Sequence, residues 1–137
     1  MKRIFEELAV SNVFAPQSVE ASTDKTTGFV DASGAGEIAF LVSTAALGKG
    51  KTLTVTLMGS DKATGDSPAA IGDAVVLTDD VGTEPQMAVV SYKVDAANPR
   101  YVALKFQHNG DAAVLCGVAV ASCGLYLPAS NGRTVTK

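Results

Sequence analysis

Thr52-Leu53-Thr54-Val55-Thr56-Leu57 alternates polar and apolar residues without a break. A period of two sends successive side chains to opposite faces of a β-strand, so this stretch reads as a strand with one buried and one wet face. Threonine on the wet face keeps the β-branching that suits a pleated sheet and brings no charge. Gly59-Ser60-Asp61-Lys62 closes the stretch with turn-forming residues.

The same grammar extends in both directions. Upstream, residues 17–23 read as a first strand and Phe29-Val30-Asp31 as a short one, while residues 37–43 are apolar on both faces. Downstream, residues 69–77 form a looser strand. Residues 86–95 then set Ala88, Val90, Tyr92 and Val94 against the less apolar Met87, Val89, Ser91 and Lys93. Residues 100–108 turn Val102, Leu104 and Phe106 inward. Asn109-Gly110-Asp111 predicts a hairpin, since Asn-Gly tolerates positive φ, with residues 112–122 as the partner strand. Residues 124–127 close the sheet. About eight strands at roughly 8–12-residue spacing predict an all-β fold, a single β-sandwich or jelly-roll.

The ends read differently. Ile4, Phe5 and Leu8 stand near helical spacing with Glu6 and Glu7 opposite, which suggests a short amphipathic helix or an arm. Two turns are marginal alone, so the segment must dock on its own domain or on a neighbour. Phe14-Ala15-Pro16 ends it, because proline disfavours helix before it. The expected division is an arm over 1–16, the sandwich over 17–128 and a polar tail over 129–137.

A chain of 137 residues suits one domain. Hydrophobic residues make up 47% and charged residues only 18%, with many Ala, Val and Gly. That balance points to apolar surface buried against a partner. The net charge of −3, with scattered basic residues, argues against nucleic-acid binding. No apolar run approaches the roughly 20 residues of a membrane helix. Glu6 and Glu7 interrupt what would be the apolar part of a signal peptide after Met1-Lys2-Arg3, so the expected place of synthesis and residence is the cytoplasm.

Residues able to do chemistry are present but not assembled. His108 is the single histidine, and a metal site asks for a second ligand at suitable spacing. Asp61, Asp66, Asp79 and Asp80 fall in loops without calcium-loop spacing, and Asp79-Asp80 reads as a solvated turn. Gly50-Lys51-Thr52 ends like a phosphate loop, but Ala45 stands where the first glycine belongs and a strand follows. Cys116 and Cys123 are seven apart, on opposite faces of one continuous strand unless a bulge at Gly117 changes the parity, and read as reduced thiols. The absence of tryptophan weakens a sugar-stacking role, leaving Tyr92, Tyr101 and Tyr126. The expectation is no catalytic residue, no metal and no cofactor. The side chains expected to meet a partner are Ile4, Phe5, Leu8, Phe14, Val114, Val118 and Val120.

Gly36-Glu37-Ile38-Ala39-Phe40-Leu41-Val42, the glycine loop after it, Lys51-Thr52-Leu53-Thr54-Val55-Thr56-Leu57-Met58-Gly59-Ser60-Asp61, and Arg100-Tyr101-Val102-Ala103-Leu104-Lys105-Phe106 together resemble small head proteins of tailed bacteriophages. The family resembled is that of capsid decoration or cement proteins with jelly-roll-like domains. The resemblance covers about residues 17–127 and lies in strands and turns, so no set of functional residues carries over. It implies a structural virion protein on the capsid exterior that clamps neighbouring major capsid proteins. It further implies a homo-oligomer, dimer or trimer, present in the host cytoplasm during assembly. The alternative is a glycan-binding sandwich module of a phage fibre or bacterial surface protein, or another head or tail component.

Overall fold

The computed structural model describes residues 8–124, which form two antiparallel sheets with no helix among them. Ten strands follow in order: β1 (Leu8–Val19), β2 (Lys25–Thr26), β3 (Val30–Asp31), β4 (Ala35–Thr44), β5 (Thr52–Ser60), β6 (Ala69–Ala70), β7 (Val75–Thr78), β8 (Gln86–Lys93), β9 (Tyr101–His108) and β10 (Val114–Gly124). One sheet has the order β1-β10-β4-β8. The other has β2-β9-β5-β6, with β3 also on β9 and β7 also on β5. The fold is the expected jelly-roll-like β-sandwich, with ten strands in place of about eight because short edge pieces count separately.

The alternation in the sequence decides what fills the middle. Leu53, Val55 and Leu57 of β5 are buried, as are Val102, Leu104 and Phe106 of β9. They meet Ile38, Phe40 and Val42 of β4 and Cys116, Val118 and Val120 of β10 in one core. Burying apolar area of this kind is the main drive for the fold.

The N-terminal boundary differs from expectation. β1 begins at Leu8 and runs through Pro16 to Val19, so residues 8–16 belong to the sandwich and are strand, not arm or helix. Residues 1–7 lie outside the described residues, as does the 129–137 tail. Pro16 is tolerated because β1 is an edge strand and the β1–β10 register slips between Phe14 and Gln17. An edge bulge has no ladder bond for proline to break.

The turn at Asn109-Gly110 is not a hairpin either. β9 and β10 lie in different sheets, and the chain crosses between them. Asn109 continues the β5 pairing instead: its N–H donates to the Thr52 carbonyl at 3.2 Å and its Oδ1 accepts from the Thr52 N–H at 2.7 Å. The Gly110 N–H donates to His108 Nδ1 at 3.1 Å. The ring proton of His108 therefore belongs on Nε2, 2.7 Å from the Val19 carbonyl of the other sheet. His108 is a buried strut between sheets.

Asp79 is the largest surprise among the loops. It is fully buried, not solvated. Its Oδ1 accepts from the N–H groups of Gly82 (2.8 Å) and Val81 (3.2 Å), and its Oδ2 from those of Leu47 (3.0 Å) and Gly48 (3.3 Å). These bonds tie the 45–51 loop to the 79–85 link and hold the carboxyl below the usual carboxylate range, the Gly82 bond foremost, against the opposing effect of burial.

Candidate functional site

The outer face of the β1-β10-β4-β8 sheet is a broad apolar surface that the fold leaves open. Pairing registers arrange it in rows. Leu8, Cys123, Glu37 and Lys93 form the first row, and Val10, Ala121, Ala39 and Ser91 the second. Asn12, Ala119, Leu41 and Val89 form the third. Gly117, Ser43 and Met87 form the fourth, with Leu115 beyond them.

Charge is confined to the first row, where Glu37 accepts a hydrogen bond from the Ser91 hydroxyl. The second to fourth rows carry none. Met87 (69% exposed), Val89 (60%), Val10 (55%) and Leu115 (54%) stand up around a floor of alanine and glycine.

The floor is low for a local reason. At Gly117 a Cβ would come within 3.2 Å of the Pro16 ring, so the bulge of β1 folds its proline over the glycine. Two shallow hollows mark the face. One, of about 330 Å³, is lined by Pro16, Ser43, Leu115 and Gly117 among others. The other, of about 300 Å³, is lined by Leu8, Glu37, Ala39, Leu41, Ala121 and Cys123. The outer face of the other sheet is different in kind. It bears Thr52, Thr54 and Thr56 with Lys105 and Gln107, and Val76 at the β7 edge.

The expected partner residues fall in three places. Ile4 and Phe5 lie outside the described residues. Leu8 sits half-buried on the rim of the face. Phe14 turns inward and meets Phe106 edge-on, with ring centroids 5.1 Å apart. Val114, Val118 and Val120 are buried at 8%, 2% and 3% exposure. Their parity sends them to the core, so the outward set of β10 is Leu115, Gly117, Ala119 and Ala121. Val10, Met87, Val89 and Leu115 are the exposed large apolar side chains of this face, and alternation alone separates them from the core set. Cys116 is buried and Cys123 half-buried on the opposite face, both free, and the β10–β4 register passes Gly117 unbroken. Burial pushes the Cys116 thiol up.

A separate cleft of about 550 Å³ lies between the 32–36 and 93–100 loops. Arg100 lines it, but its guanidinium is already engaged: Nε and Nη2 donate to the two oxygens of Asp31 at 2.9 and 2.7 Å. That pairing holds the Asp31 carboxyl well below the usual range and pushes Arg100 up. Among the described residues no group of three or more His, Cys, Asp or Glu is placed to hold a metal ion.

No protein-family model matches the chain, and no curated protein sequence matches it. Solved structures do share its fold. The PBSX exported protein XepA superposes with a TM-score of 0.58 at 8% identity, over 94% of this chain and 42% of that one. PorU from Porphyromonas gingivalis gives 0.52 at 13% identity, over 88% of this chain and 13% of that one. A chain of the cowpea mosaic virus top component, a naturally occurring empty particle, gives 0.51 at 11% identity, over 100% and 92%. This chain thus spans less than half of the XepA chain. At these identities the likeness is one of fold.

Proposed function

We propose that this chain is a structural virion protein that lays the outer face of its β1-β10-β4-β8 sheet on the exterior of a bacteriophage capsid and bridges neighbouring major capsid proteins. The observation that carries the reading is the uncharged, alanine-floored face ringed by Val10, Met87, Val89 and Leu115. A monomeric protein rarely leaves such a face to water. A protein that binds by area needs one dry surface and no reacting groups. The second sheet, with its threonine and lysine face, is suited to remain in solvent. The sandwich shared with a chain of an empty virus particle is in keeping with this role. On a symmetric shell many copies act together, so each contact is allowed to be weak.

The test is co-sedimentation of the protein with expanded shells that lack it. The wild-type chain is expected to sediment with the shells, and Met87→Lys combined with Leu115→Lys to stay in the supernatant while remaining folded. Equal binding by both would remove the sheet face from the account. Binding to a polysaccharide in place of shells would favour the glycan-binding alternative.

A further inference from the structure

Asn109-Gly110 lies in the crossing from β9 to β10, and its geometry is that of a reaction within the chain. An asparagine followed by glycine is open to ring closure: the glycine nitrogen attacks the side-chain amide, and no Cβ on the glycine stands in the way. The reaction makes three demands. The nitrogen must lose its proton, the amide carbon must lie toward it, and the amide oxygen must be relieved of the charge it gathers.

The fold sets a group against each demand. The Gly110 N–H donates to His108 Nδ1 at 3.1 Å, so an imidazole lone pair sits on the proton to be removed. His108 is itself oriented through Nε2, 2.7 Å from the Val19 carbonyl, as a general base has to be. Asn109 Oδ1 accepts from the Thr52 N–H at 2.7 Å, while the Asn109 N–H donates to the Thr52 carbonyl. In an antiparallel pair the Thr52 N–H would bond the backbone carbonyl of Asn109. The side-chain carbonyl takes that place, which turns the side-chain carbon toward the Gly110 side of its residue. Asn109 is exposed, so the leaving group and an incoming water both have solvent at hand.

We propose that the folded protein closes Asn109 and Gly110 into a succinimide, with His108 as base and the Thr52 N–H as support for the oxyanion. The Gly110 amide proton passes to His108 Nδ1, and the nitrogen's electron pair forms a bond to Asn109 Cγ. Charge gathers on Oδ1 against the Thr52 N–H. As Oδ1 returns that charge, the bond from Cγ to Nδ2 breaks with its electron pair on nitrogen. The proton held by His108 reaches that nitrogen through water, and ammonia leaves. Water then adds to either ring carbonyl and opens the ring, giving aspartate or isoaspartate at position 109. The isoaspartate product has one more carbon in the backbone, which draws Gly110 off His108 and loosens the strut between the sheets.

Mass spectrometry of the full chain, incubated at neutral pH and then digested with trypsin, tests this. The gain in mass from amide to acid is read in the peptide 106–133, where fragment ions separate Asn109 from Asn131. Asn109 is expected to convert roughly tenfold faster in the folded chain than in the same chain unfolded in guanidinium. His108→Gln should abolish that excess in the folded chain and leave the unfolded rate unchanged. A folded rate equal to or below the unfolded one overturns the proposal. So does a folded His108→Gln chain that converts as fast as the wild type. Where His108→Gln does not fold, the first comparison decides alone. Shell binding through the apolar sheet face has its own readout and stands or falls separately.

Discussion

Asp79 carries more of the loop structure than any other single residue. Four backbone N–H groups from two loops converge on one carboxylate, and a neutral side chain cannot accept all four equally. Asp79→Asn is therefore expected to lower the thermal midpoint more than neutralising exposed Asp80. The folded carboxyl titrates below its unfolded value. Its stabilisation is thus fully present above about pH 4 and lost as pH falls through the folded value. The gap in midpoint between wild type and Asp79→Asn should narrow from pH 7 toward pH 3; a constant gap would contradict the assignment. Gly82 is the companion position. Its φ is +86°, and a Cβ there would lie 2.4 Å from the Lys49 nitrogen. Gly82→Ala should destabilise by about 2–4 kcal/mol in denaturant unfolding. None of this was legible in Asp79-Asp80-Val81-Gly82, because an aspartate in a turn looks the same whether water or four amides surround it.

The strands were far more legible than their connections. Alternation at residues 52–57 and 100–108 is a local property, and both strands bury the residues it selects. Where a strand goes next is not local. Asn109-Gly110 is a strong hairpin signal, yet Asn109 is taken up by Thr52, more than fifty residues away, and the chain crosses to the other sheet. β1 departs from the expected arm for a similar reason. Ile4, Phe5 and Leu8 suggest a helix, and only the long pairing with β10 makes residues 8–19 a strand. The partner residues followed the same logic. Val114, Val118 and Val120 are attractive as apolar side chains, but β10 sends these valines inward and Leu115, Ala119 and Ala121 outward. Mutation separates the two sets. Phe40→Ala, on the inner face of β4, should cost about 3–5 kcal/mol of stability. Leu115→Lys, on the outer face of β10, should change it by no more than about 0.5 kcal/mol. Comparable losses at both positions would mean that the face is not free.

For the whole molecule, the two sheets divide the work. One turns threonine, lysine and glutamine to solvent, with exposed large apolar side chains only at its β7 edge. The other offers uncharged rows bounded by a single acidic and basic pair, Glu37 and Lys93. That asymmetry is what the proposed role on a capsid rests on, and composition hinted at it through low charge and many small apolar residues. Cryo-microscopy of expanded shells of the cognate phage, lacking this protein and then incubated with it, tests the role directly. The account predicts ordered density in which β1, β10, β4 and β8 face the shell between neighbouring capsid proteins, lost when Met87 and Leu115 are changed to lysine. Density with the threonine-bearing sheet against the shell, or no density from folded protein on intact shells, would contradict it.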